Sequence, residues 1–166
     1  MKITALEEYG LRCLLQIVAG KEKGASISEI SEREGLSIQY VSKILSILKK
    51  KGLVAANRGV KGGYYLTQEP QTLKLSEVLR MLGGVMFDKD FCGEHTGKET
   101  VCVHDQNCAV RSIWSVVYSY VYSILDQLTL ADLLTDEGIC REHMIKTIFE
   151  RKKEKALERT LKVIND

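Results

Sequence analysis

Proline is almost missing from this sequence, with 1 residue in 166. That excludes a proline-rich linker or a collagen-like repeat. Long apolar runs are missing too: charges interrupt every stretch short of the ~18 residues a bilayer-spanning helix needs. The first twenty residues carry Glu7, Glu8 and Arg12 inside their apolar pattern, which a secretory leader does not tolerate. We therefore expect a soluble, cytoplasmic protein with no membrane partner. The five cysteines are an odd number, and without an export signal they argue against a disulfide framework. What is present is ordinary for a globular chain. Apolar residues make up 45% and charged residues 28%, enough for a real core and unlike a disordered chain.

Acid is missing where base is plentiful. The net charge of +2 conceals a first block, residues 1–66, with 11 Lys and Arg against 6 Asp and Glu. Residues 67–136 reverse this, with 5 against 10. Between Gly35 and Gln68 there are six basic residues (Lys43, Lys49, Lys50, Lys51, Arg58 and Lys61) and no acid. A solvated face normally mixes both signs, so this stretch points to a polyanionic partner. A chance run of cations at a helix C-terminus accounts for Lys49 to Lys51 but not for Arg58 and Lys61.

Apolar periodicity places helices in the same region. Leu11, Leu14, Leu15 and Val18 mark a helix over residues 4–20, ended by Gly20 and Gly24. Ser26 and Glu29 have capping-box spacing for a short second helix, stopped by Gly35. Ser37 caps a third, with Ile38, Val41, Ile44, Leu45 and Leu48 as its apolar stripe and Gly52 at its end. A short helix, a tight turn and a longer helix read as a helix-turn-helix. Residues 53–58 and 64–66 are β-capable runs around a basic, Gly-rich turn and read as a hairpin. Together they predict a mainly α fold, a winged helix-turn-helix. The competing reading is a helical hairpin beside an unrelated ribbon.

Downstream, Ser76 is expected to cap a short helix through Leu82. From Ala109 a long helix carries Val110, Ile113, Trp114, Val117, Tyr120, Val121, Ile124, Leu125 and Leu128 on one stripe, with Val116, Tyr118 and Tyr122 on a second. Two apolar faces suggest packing both on its own domain and on a second copy. The expected organisation is a DNA-binding domain over 1–84, a cysteine loop over 85–108, a dimerisation helix over 109–135 and a charged helical tail over 136–166.

Cys13 and Cys140 read as structural. Cys92, Cys102 and Cys108 differ, because they lie in a segment without periodicity, beside His95 and His104. Such thiols can hold an iron–sulfur cluster, can bind zinc with a histidine, or can act as a metal-free switch. Spacing alone leaves these open, together with no special role. An enzyme using a cysteine nucleophile needs an oriented base and an oxyanion site, and the pattern offers neither.

The chain resembles the Rrf-type winged-helix regulators, a family that includes the iron–sulfur regulator IscR and the nitric-oxide-sensing repressor NsrR. The resemblance rests on residues 1–4, Tyr9-Gly10-Leu11-Arg12, residues 27–33, Gly35-Leu36-Ser37, residues 48–54, Arg58-Gly59, Gly62-Gly63-Tyr64, Cys108, Trp114 and residues 128–133. It implies a homodimer on a two-fold, double-stranded DNA operator and a cluster, most often [2Fe-2S], on Cys92, Cys102 and Cys108. Nine residues separate Cys92 from Cys102, more than the family's usual spacing, while the five between Cys102 and Cys108 match it. Where IscR-type members place a histidine ligand, Arg111 stands. The NsrR type uses a carboxylate of the first helix, a position that Glu8 occupies, so Glu8 is the expected fourth ligand, with His104 as alternative. On the DNA side, Ser37, Gln39, Tyr40, Ser42 and Lys43 are expected in the major groove, and Arg58, Gly59 and Lys61 on the wing.

Overall fold

The structure is a computed structural model that describes residues 3–57, 62–83, 92–142, 144–146 and 148–150. Helix α1 spans Ala5–Ala19 and starts in a capping box. The Thr4 hydroxyl accepts from the Glu7 amide at 3.2 Å, and the Glu7 carboxylate accepts from the Thr4 amide at 2.7 Å. A single 3₁₀ turn, Lys21–Lys23, leads to α2, Ile27–Glu34. Here Ser26 and Glu29 form the expected box, and Gly35 closes the helix in the left-handed region. Helix α3, Ile38–Lys50, follows at once, its first turn capped by Ser37.

Strands β1, Val54–Ala56, and β2, Tyr64–Leu66, pair antiparallel with Val54 opposite Leu66 and Ala56 opposite Tyr64. Ala25 adds a bridge to Tyr64 on the other edge, so the hairpin is stitched to the turn between α1 and α2. Nothing in the local sequence around Ala25 announces that pairing. The result is the winged-helix arrangement.

One core holds these parts together. Cys13, Leu14 and Ile17 of α1 meet Ile30 of α2, Val41, Ile44, Leu45 and Leu48 of α3, and Leu53 and Val54 at the hairpin. Burying such side chains contributes about 1.5–3 kcal/mol each before entropy is set against it. Helix α4, Leu75–Gly83, adds Val78 and Leu82, and Gly10 of α1 lets Leu82 approach closely.

Helix α5 runs Ala109–Leu125. Leu128, expected on its stripe, lies beyond its end, after a turn, and is buried in the shared core with Leu130. The Leu128 carbonyl accepts from the Leu75 amide and the Leu130 amide donates to the Leu73 carbonyl, fastening the chain after α5 to the start of α4. Two further expectations are corrected. Helix α4 begins at Leu75, and Ser76 lies inside it, its hydroxyl donating to Asp126 Oδ1 at 3.0 Å. A partner 50 residues away takes the oxygen that local spacing assigns to a cap. Ile38, placed on the buried stripe, is 54% exposed, because the first residue of α3 projects past the edge of the core. Beyond a 3₁₀ turn at Leu130–Leu133, residues 137–142, 144–146 and 148–150 are helical, and Met144 and Ile148 pack against the core.

Candidate nucleic-acid interface and cysteine loop

Helix α3 presents one solvent-facing side. At 100° per residue, positions 38, 39, 42, 43 and 46 share a face, and Ile38, Gln39, Ser42, Lys43 and Ser46 are all exposed. The helix carries no acid, so this face does not repel phosphate. The Ser37 hydroxyl accepts from the Tyr40 amide at 3.2 Å, which commits it to the helix terminus. Tyr40 is partly buried. Its ring meets that of Tyr9 edge-on, centroids 5.7 Å apart at 84°, and so belongs to the packing of α3 on α1. Arg58, Gly59 and Lys61, expected on the wing, lie outside the described residues.

Behind α3, a polar chain fixes the helix-turn-helix against α1. The Glu34 carboxylate accepts from Arg12 Nε at 2.5 Å and from Gln16 Nε2 at 2.6 Å. The Arg12 guanidinium lies 5.4 Å from the centre of the Tyr9 ring. Its hydrogen bond to Glu34 raises the Arg12 pKa above its ordinary value, with Glu8 adding a smaller attraction. Glu8 is exposed in the first turn of α1, where the helix dipole also favours an acid. Its neighbour Glu7, by contrast, is 8% exposed and held by the Thr4 cap.

The cysteines divide as their surroundings dictate. All five are free thiols. Cys13 is fully buried, and burial pushes its pKa up to about 11. Cys140 Sγ donates to the Asp132 carbonyl at 3.3 Å and touches Met144 Sδ at 3.4 Å. Cys92, Cys102 and Cys108 are partly exposed and sit at turns. The Cys92 carbonyl accepts from the His95 amide, and the Cys102 carbonyl from the Asp105 amide. Cys108 is the N-cap of α5, its Sγ accepting from the Arg111 amide at 3.3 Å. Arg111 also donates to the Asp105 carbonyl at 2.8 Å, with its Nη1 3.7 Å from the Asp105 carboxylate. The residue standing where a histidine ligand is usual thus ties the loop to the start of α5. Sequence reasoning missed that tie; an acid six residues before an arginine was its only signal.

Three free thiols are the right donor chemistry for an iron–sulfur cluster. Their placement is open, however. Among the described residues, no three His, Cys, Asp or Glu side chains are gathered closely enough to hold a metal ion. Cys92, Cys102 and Cys108 are neighbours in sequence, and holding a common group requires the loop to draw them together. His104 is exposed on the same loop.

On α5, Tyr122 is buried against Arg80, whose guanidinium lies 4.6 Å from its ring centre. The opposite side is bare: Val110, Ile113, Trp114, Val116, Val117 and Tyr120 are 44–69% exposed. No helix of the described residues is long and apolar enough to cross a membrane.

Comparison with known proteins agrees with this geometry. The family description "Rrf2: Iron-dependent Transcriptional regulator" matches residues 3–136. Protein Rrf2 of Nitratidesulfovibrio vulgaris is 32% identical over 141 residues, covering 84% of this chain and 91% of the relative. The solved structure of IscR from T. potens superposes with a TM-score of 0.62 at 30% identity, covering 81% of this chain and 86% of the other. That of CymR, described as the global cysteine regulator of B. subtilis, gives 0.66 at 29%, covering 82% and 99%. With a matching domain that begins before α1 and ends after the return of Leu130 to the core, this chain belongs to the Rrf2 family of transcriptional regulators.

Proposed function

We propose that the chain is a homodimeric regulator whose binding to a two-fold DNA operator is set by an iron–sulfur cluster, [2Fe-2S], on Cys92, Cys102 and Cys108. One observation carries the reading. The three free, partly exposed thiols lie on the segment that runs directly into α5, and the last of them caps that helix. The family description as iron-dependent and the likeness to IscR support it. A bound cluster supplies sensitivity to nitric oxide, oxidants or iron–sulfur supply. The chain's own residues supply the transmission. Cys108 and Arg111 join the loop to the first turn of α5, and Tyr122 with Arg80 joins α5 to the DNA-reading domain. A change of ligand state at Cys108 therefore acts on the angle between two α3 helices in the dimer, with a coupling typically of ~1–3 kcal/mol.

Glu8, from the same or the partner chain, completes the ligand set. An unchanged cluster spectrum and lifetime in Glu8→Ala removes it from that role. On the DNA side, Gln39, Ser42 and Lys43 read the major groove while Arg58 and Lys61 hold the flanking backbone. Lys61→Ala is expected to weaken all sequences alike and to reduce the salt slope by about one, while Gln39→Ala relaxes specificity at one position. Binding isotherms at several salt concentrations check both.

The deciding experiment is the visible spectrum of protein purified without oxygen, with iron and sulfide assayed on the same sample and operator binding measured before and after cluster removal. Absorption with equal iron and sulfide supports the reading. A colourless, iron-free protein that resists reconstitution overturns it. A second reading, a metal-free thiol switch, is favoured by the ungathered placement of the three thiols and by the likeness to CymR, one of whose Staphylococcus aureus structures is an oxidized form at 26% identity. It requires DNA binding that responds reversibly to oxidation in iron-free protein.

A further inference from the structure

We infer that Ile38 is a base-reading residue: its side chain packs on the C5-methyl group of a thymine in each half-site of the operator. The inference deepens the DNA-binding reading above and rests on it.

The argument begins with an anomaly of burial. A helical wheel puts Ile38 within about 20° of Leu45, which is fully buried, so periodicity alone sends Ile38 inward. It is nonetheless 54% exposed, and it belongs neither to the core nor to the partly buried side chains packed on it. Among the described residues up to Gly83, Ile38 and Ile3 are the exposed large apolar side chains. Ile3 stands at the chain terminus, ahead of α1. Ile38 is the first residue of α3, on the same solvent-facing side as Gln39, Ser42 and Lys43.

That location decides what can cover it. In a helix-turn-helix, the first turn of the second helix meets base edges in the major groove. The one apolar group that bases project into that groove is the thymine methyl, and isoleucine can complement it by contact without any hydrogen bond. The neighbouring polar groups suit the same surroundings. Gln39 can donate to and accept from adenine, and Lys43 can meet guanine or phosphate, so Ile38 and Gln39 side by side favour an A·T pair or step. The Ser37 cap fixes the backbone at Ile38, because its hydroxyl holds the Tyr40 amide.

The test removes the methyl group from the base and trims the side chain that covers it. Full-length protein, purified without oxygen, selects a duplex from a random library. Each thymine of the selected half-site is then replaced in turn by deoxyuridine, which lacks only the C5-methyl. At one position the wild-type protein is expected to bind the deoxyuridine duplex about four-fold more weakly, the effect of losing one buried methyl-sized contact. Ile38→Ala is expected to bind the thymine and deoxyuridine duplexes equally, and Ile38→Val to keep most of the difference. Because Ile38 is exposed, unfolding curves of both variants check that the fold is unchanged. Equal losses in wild-type and Ile38→Ala protein overturn the inference while leaving DNA binding intact. So does a selected half-site with no methyl-sensitive thymine. A protein that selects no duplex at all overturns this inference together with the DNA-binding reading.

Discussion

Gly24 and Gly35 share nearly the same positive φ, 61° and 64°, but Gly35 is left-handed with ψ 29°, while Gly24, with ψ −149°, lies where essentially only glycine is found. Their surroundings separate them further. A methyl group on Gly24 would overlap the Tyr64 carbonyl oxygen, the atom that accepts from the Ala25 amide in the bridge between hairpin and helices. A methyl group on Gly35 meets nothing within 4 Å. Gly35→Ala is thus expected to cost about 1–2 kcal/mol, the backbone term alone. Gly24→Ala is expected to cost about 3 kcal/mol or more, because strain adds to a broken bridge. Urea unfolding of the two variants reads the difference, and equal losses would mean that neither the bridge nor the Gly24 backbone resists the added methyl group. Cysteine chemistry follows the same logic of surroundings. Burial holds Cys13 as a thiol, with its pKa raised to about 11, whereas Cys92, Cys102 and Cys108 reach solvent. In metal-free native protein at pH 8, iodoacetamide is expected to label the three loop cysteines and to spare Cys13 until the chain is unfolded. Peptide mass mapping checks this.

At the scale of an element, α2 depends on its ends, since a helix of 8 residues is too short to hold alone. The Glu29 carboxyl accepts from the Ser26 amide, and that bond holds its pKa below the ordinary glutamate value. A depressed folded pKa means that the contribution is complete above the ordinary glutamate range and is lost as pH falls through the depressed value. Wild type and Glu29→Gln are therefore expected to differ in stability at pH 7 and to converge in acid, while Ser26→Ala costs about 1 kcal/mol. Denaturation midpoints across pH measure both. This box was legible in the sequence because all its parts lie within four residues, and the same holds for the Ser37 cap; the hairpin was legible as two runs around a Gly-rich turn, without its register. Features assembled across the chain were not. The partner of Ser76 is Asp126, that of Ala25 is Tyr64, and that of Glu34 is Arg12. Ile38 was misplaced for a related reason, since periodicity gives a direction but not where the core stops. At the candidate site, the sequence marked out Cys92, Cys102 and Cys108 as unlike Cys13, but not how far apart the chain holds them.

At the scale of the whole molecule, α5 has two unlike sides. Its Tyr122 side rests on Arg80 and, through Leu128 and Leu130 just beyond, on the core of the DNA-reading domain. Its other side leaves Val110, Ile113, Trp114, Val117 and Tyr120 uncovered. So many large apolar groups on one side of one helix call for a cover, and a second copy of α5 about a two-fold axis is the occupant proposed for it. The proposed dimer also predicts how strongly the operator is bound. One half-site read by one α3 gives only the affinity of a single module, while two linked half-sites gain typically 10²–10⁴-fold by effective concentration. Replacing Ile113 and Val117 by glutamate puts four like charges into that contact and disturbs nothing inside the subunit, because both side chains are exposed. The double variant is expected to sediment as a monomer at micromolar concentration, to keep its thermal unfolding transition, and to bind a two-fold operator on the order of 10²-fold more weakly. Its affinity for an isolated half-site should stay within about two-fold of wild type. A variant that remains a dimer would move the interface away from this face of α5. One that becomes a monomer yet binds the full operator undiminished would show that the two DNA-reading domains act independently, and the angle set by α5 would then have no part in regulation.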